Sequence, residues 1–455
     1  MYTARYLGPE RYGTISFALA FTAIFSVLTD FGLSQLTVRE VARNKSLAEK
    51  YFGNVLIAKL LLAVTTFGMV VAAINLMGYP STTAKVVYII FLSVIFGAFN
   101  GLFTSTFQAF ERMEYQSIGS ILNNVSMLVA ALFAITHNFD VVGFAYIYLI
   151  SNLLVLAFNS AVSLRMHFRP RPELDWAFLK PVFKEAIPFG LTGFLGMVYT
   201  YEASIILSFF QGNEVVGWYN AAYRLVLMLL FVPNIINVVI YPVMSRFYVS
   251  SHDSLLFVYK KYFKYMQIIA FPIGIGTTFL ADRIILTIFG NGFANSIIAL
   301  KILIWTLVFT FSGSAFVNLL QSTNRQSVIT RMSAISVVVN VLTNLVLIPK
   351  FSYVGSSIAT VITEVVLVGG IVFAAYRSGY GIPLSDLKYD TLKILASCLV
   401  MSAFLVYFNF VNLLILIISS AMVYFAAIYF FRLLDDDDIL LIKQVLRLGR
   451  PMNEE

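Results

Sequence analysis

About thirteen stretches of this chain are apolar for long enough to cross a lipid bilayer, and that constrains its fold more than anything else in it. A helix of roughly 20 apolar residues spans the ~30 Å hydrocarbon core. The runs cover residues 12–33, 51–77, 86–110, 116–136, 141–166, 183–210, 216–246, 262–280, 296–321, 327–348, 353–376, 391–408 and 411–431. Inside a bilayer every backbone N–H and C=O must be satisfied within the segment, so such runs become helices. Composition agrees: 59% of residues are hydrophobic and 12% charged, against about half and a quarter in soluble domains. The expected fold class is an all-α polytopic membrane protein. Pro188, Pro233, Pro242 and Pro272 fall inside runs and are expected to kink them.

The formal net charge is +8, but its distribution points to membrane orientation rather than nucleic acid. With residues 39–50 placed in the cytoplasm and the loops alternated, inner segments and their flanks hold roughly 23 of the Lys and Arg residues, against about 6 outside. The single cysteine, Cys398, excludes an internal disulfide and a cysteine-rich metal site. Glycine-rich phosphate loops, histidine clusters and nucleophile triads are absent from the sequence, so no cofactor, metal or ATP site is expected.

A short motif recurs. Gly8-Pro9-Glu10-Arg11-Tyr12-Gly13 and Gly212-Asn213-Glu214-Val215-Val216-Gly217 both read G-x-E-x-x-G and both open a long apolar helix, about 204 residues apart. Asp140-Val141-Val142-Gly143 and Ser352-Tyr353-Val354-Gly355 repeat at a spacing of about 212. The chain therefore reads as two pseudo-repeated six-helix lobes plus two C-terminal helices. A full helix precedes the second turn and only Met1–Tyr6 the first. The repeat thus predicts a further helix before the first turn, absent from this sequence through a displaced start, a truncation or a short natural form. The expected divisions are an N-lobe at 1–166, a cytoplasmic linker at 167–182 with Arg169-Pro170-Arg171-Pro172, a C-lobe at 183–377, and two extra helices with a tail at 378–455. Asp435–Asp438 suit a helix start, and residues 439–448 suit an amphipathic surface helix.

Ala4-Arg5-Tyr6-Leu7-Gly8-Pro9-Glu10, followed by Asp30-Phe31-Gly32-Leu33 and Val38-Arg39-Glu40-Val41-Ala42-Arg43, resembles the opening of the polysaccharide and O-antigen flippases. These belong to the multidrug/oligosaccharidyl-lipid/polysaccharide exporter superfamily. Ile288-Phe289-Gly290-Asn291-Gly292-Phe293 and Leu347-Ile348-Pro349-Lys350 extend the resemblance over essentially the whole chain. It implies that the two lobes enclose a central cavity, and that the chain is a transporter in the cytoplasmic membrane that turns a polyprenyl-diphosphate-linked oligosaccharide from the inner to the outer leaflet. Membrane lipids would surround it, and a polysaccharide polymerase or glycosyltransferases would be its partners.

Charged side chains within spans cost about 2.5–3.5 kcal/mol each on insertion scales and mark cavities or pathways. Arg224 and Lys59 are the candidates for gripping a diphosphate, Lys59 with snorkelling as the alternative. The family likeness adds Arg5. Glu202, Glu364 and Asp30 are candidates for ion coupling or ion pairing. Glu202 and Arg224 stand at similar depth either side of the Gly212–Gly217 turn, which suggests that they pair. Asn340 and Asn344 read as interhelical hydrogen-bonding residues. A glycosyltransferase or polymerase would need a larger acidic outer loop. A drug exporter of the same superfamily and a non-transporting scaffold are the remaining alternatives.

Overall fold

The computed structural model describes residues 2–165, 172–381, 384–434 and 438. Residues 167–171 of the linker, Asp435–Asp437 and the expected surface helix at 439–448 lie outside these. The described fold is helical: α1 (Tyr2–Asp30), α2 (Leu33–Arg43), α3 (Ala48–Leu76), α4 (Ser81–Ala109), α5 (Met113–Thr136), α6 (Val141–Arg165), α7 (Trp176–Gln211), α8 (Asn213–Leu229), α9 (Phe231–Ser250), α10 (His252–Ile288), α11 (Ser296–Ser322), α12 (Gln326–Arg377), α13 (Leu384–Tyr407) and α14 (Leu413–Phe430).

Among the described residues, 12 helical segments are long and apolar enough to cross a membrane. One of them counts twice. At 52 residues, α12 would be about 78 Å long if straight, far beyond a bilayer. It reverses at Ser352, where φ is 54° and ψ −138°, and a Cβ on Gly355 would overlap the Leu347 carbonyl. Residues eight apart touch only if the chain has doubled back. The sequence count of about thirteen crossings therefore stands. The span expected at 216–246 is two helices, α8 and α9, broken at Leu230. Pro233 lacks the N–H that would continue the ladder there. At Pro188, Pro242 and Pro272 the helices run on without a break.

The chain divides into two compact units. The first comprises residues 1–220 with 341–356, the second 221–340 with 357–455. In the first, α2 is amphipathic. Leu33, Leu36, Thr37 and Val41 recur at helical spacing and are buried, so they face one way. Leu33, Leu36 and Val41 join Phe52, Val55, Leu102, Leu179 and Val182 in one core. Gly32 at φ 83° starts this helix, and a side chain there would collide with the Ala186 carbonyl on α7. In the second unit, α10 packs on α13 and α14 through Ile268, Leu280, Met401, Leu405 and Leu416. The Tyr424 hydroxyl donates to the Ile268 carbonyl at 2.8 Å. Cys398 is fully buried in that core.

Candidate functional site

The repeated turns are the same structure made twice. Gly8 has φ 73° and ψ 173°, and Gly212 φ 83° and ψ 173°. This region is open essentially to glycine alone, which explains the first glycine of each motif. The last glycine has another role. A Cβ on Gly13 would overlap the main-chain oxygen of Asn213, and a Cβ on Gly217 that of Pro9. Each motif thus presents its bare sixth position to the first helical residue of the other. Helices can approach this closely only where side chains are absent. Side chains complete the contact: the Asn213 amide donates to Thr14 Oγ1 at 3.2 Å. Ser208 donates to Asn213 Oδ1 at 2.7 Å, and Tyr79 to Ser208 Oγ at 2.9 Å. By the charge rule this contact lies at the outer face.

Lys59 does not snorkel. It is 1% exposed, and its ammonium meets Asp30 Oδ1 at 2.5 Å, Ser34 Oγ at 2.8 Å and the Ala98 carbonyl at 2.8 Å. Three acceptors match its three protons. Ser34 sits one turn beyond Asp30 and donates to it at 2.6 Å. Asp30 and Ser34 line a cavity of about 440 Å³ between α1, α2, α4 and α6, together with Ser93 and Asn152. From there a polar ladder runs along the α4–α6 seam. The Asn152 amide donates to Ser93 Oγ at 2.8 Å, Asn100 to the Asn152 carbonyl at 3.0 Å, and Asn159 to Asn100 Oδ1 at 3.0 Å. Sequence reasoning named Lys59 and Asp30 separately and passed over Ser34, Asn100 and Asn152. Asn100 and Asn152 carried a readable signal, being polar groups inside apolar spans.

Glu202 on α7 is 6% exposed. Both its oxygens accept from the Asn344 amide, at 3.1 and 3.4 Å. Arg224, its expected partner, is an exposed residue of α8 in the second unit. Glu364 accepts from Thr310 at 2.6 Å, and Asn340 donates to Thr363 at 2.9 Å. Arg5 is an exposed residue just ahead of the Gly8 turn.

At the cytoplasmic end by the charge rule, Arg39 pairs with Glu185 and, at 2.6 Å, with Glu40. Those two hydrogen bonds raise its guanidinium pKa above the ordinary value. Asp175 caps α7 by accepting from the Phe178 N–H at 3.1 Å, and it pairs with Lys50 at 3.2 Å. The Phe178 N–H first, and Lys50 next, hold its carboxyl below the usual value. In the second unit Asp438, fully buried, accepts from Lys261 and Lys264 at 2.7 Å and from Tyr265 at 2.6 Å.

Long apolar helices, a duplicated turn and charges paired within spans define a multi-pass membrane protein built on an internal repeat. The chain belongs to the polysaccharide biosynthesis protein family, whose profile matches residues 1–248. A membrane protein of Methanocaldococcus jannaschii is 24% identical over 60% of this chain, which spans 54% of that relative's length. A protein of Shigella dysenteriae named as a candidate O-antigen transporter is 26% identical over 81% of this chain and 92% of its own. Among solved structures, the lipid II flippase MurJ in an inward closed conformation superposes with a TM-score of 0.72. It covers 95% of this chain and 97% of MurJ at 15% identity, a likeness of fold.

Proposed function

We propose that this protein carries a lipid-linked oligosaccharide across the membrane by alternating access, its lobes at 1–166 and 183–377 opening in turn to either side. The observation that carries the reading is the Asp30–Lys59 pair beside a cavity that also exposes Ser93 and Asn152 within apolar helices. Charges are kept at that depth where a polar cargo or an ion passes. The cargo's hydroxyl-rich head needs a wet path, while its lipid tail stays in the bilayer. Family membership and the names of the Shigella and MurJ relatives support the same class of cargo.

In this reading Arg224 and Arg5 grip the diphosphate. Glu202, held by an amide rather than a cation, exchanges a proton or monovalent cation to drive the cycle, with Glu364 as a second candidate. The chain acts as a transporter, not an enzyme, and works beside the polymerase or glycosyltransferases that supply and consume its cargo. The test is reconstitution in liposomes with a fluorescent polyprenyl-diphosphate oligosaccharide loaded in one leaflet. Transfer that Arg224→Ala abolishes supports the proposal, and an absence of transfer by the native chain refutes it.

A further inference from the structure

We infer that the cavity between α1, α2, α4 and α6 binds an uncharged sugar ring rather than the diphosphate of the cargo. This deepens the flippase reading and rests on it. The 440 Å³ volume is within the range of small-molecule sites, and Asp30, Ser34 and Asn152 on its wall are half-buried and reachable.

The electrostatics select the ligand. Lys59 is the one cation beside this cavity among the described residues, and its protons are all engaged by Asp30, Ser34 and Ala98. No positive charge is left for a phosphate. Among the described residues, the acceptors are less fully used. Asp30 Oδ2 has only a long contact, 3.4 Å from the Ser34 N–H. Asn152 Oδ1 has only the Asn100 amide, at 3.5 Å. Two under-used acceptors on a mostly apolar wall call for a ligand that donates hydrogen bonds, and diphosphate oxygens only accept. A free cation would be repelled by the ammonium 2.5 Å from the same carboxylate. Sugar hydroxyls meet the requirement without charge.

The remaining wall suits the other side of such a ring. Leu19 and Val94 are apolar, and Gly97 contributes bare backbone. A pyranose has C–H faces that lie against such surfaces and hydroxyl edges that reach the polar side. The arrangement assigns this cavity to the glycan and leaves the diphosphate to arginines outside it.

Gly97 gives the sharpest test. A Cβ there meets only Asn152 Oδ1, at an ordinary 3.5 Å, so Gly97→Leu can be accommodated while its side chain fills the cavity. The purified full chain is examined by saturation-transfer NMR with the methyl glycosides of glucose, galactose and N-acetylglucosamine. Pyrophosphate and sodium chloride serve as competitors. The expected result is saturation of at least one glycoside, unaffected by either competitor, weakened about tenfold by Asn152→Ala and lost in Gly97→Leu. Saturation of none, displacement by pyrophosphate or sodium, or unchanged saturation in Gly97→Leu overturns the inference. The liposome assay separates the two readings. If the native chain and Gly97→Leu transfer the glycolipid equally while no glycoside binds, the sugar site fails and the flippase stands. If glycosides bind but the native chain transfers nothing, the flippase fails and the site stands.

Discussion

Gly13 lies against the main-chain carbonyl of Asn213, and the repeat returns the contact, with Gly217 against the carbonyl of Pro9. Two backbones meet there with no side chain between them. Overpacking such a contact costs about 1–3 kcal/mol. Gly13→Ala or Gly217→Ala is therefore expected to part the two turns and expose Thr14. The measurement is labelling of Thr14→Cys by an impermeant thiol reagent from outside. It should speed up severalfold in either glycine variant, with Cys398 silent because it is fully buried. Gly68→Ala, whose Cβ meets nothing within 4 Å, should change nothing.

Asp30 and Lys59 hold each other's charge. Removing one partner of a buried pair costs about 3–5 kcal/mol, while replacing both with neutral groups is often tolerated. Asp30→Asn and Lys59→Met should each lower the unfolding temperature of the detergent-solubilised protein sharply. The double variant should recover most of the loss.

Glu202→Gln keeps an oxygen to accept from Asn344 and removes the charge. It is expected to fold with little change in unfolding temperature and to lose the dependence of transport on an imposed pH or cation gradient. A gradient response equal to that of the native chain would strike Glu202 from the coupling role and leave Glu364 to be tested in the same way.

Asp175 makes the start of α7 acid-sensitive. Its folded carboxyl titrates below the ordinary 3.8, so the folded state gains stability above that value and loses it as pH falls through the folded value. Hydrogen exchange over residues 176–182 should accelerate below about pH 4 as this carboxylate protonates. In Asp175→Asn, which can still cap the helix but does not titrate, protection should stay level over the same window.

The spans could be read because a bilayer permits one solution for a long apolar run, and the reversal at Ser352 was announced by its likeness to residues 140–143. The first glycine of each G-x-E-x-x-G motif was readable as a turn. The last was not, because its reason is a carbonyl about 200 residues away in the chain. The same limit applies to the site. The cost of burying Lys59 and Glu202 shows in the sequence, but their partners do not. Glu202 meets Asn344 at a separation of 142 residues, and no periodicity says which faces of two helices meet. Depth alone suggested Arg224.

The central claim, that the lobes at 1–166 and 183–377 open in turn as a glycolipid crosses, is tested most directly by locking the contact between their duplicated turns. Thr14 and Asn213 touch through their side chains at 3.2 Å, so cysteines are introduced at both positions to bridge the contact. Transfer of a fluorescent polyprenyl-diphosphate oligosaccharide is then followed in liposomes, oxidised and reduced. The account predicts that the bridged protein is inactive and that reduction restores transfer. Transfer through the bridged protein at the reduced rate would contradict it.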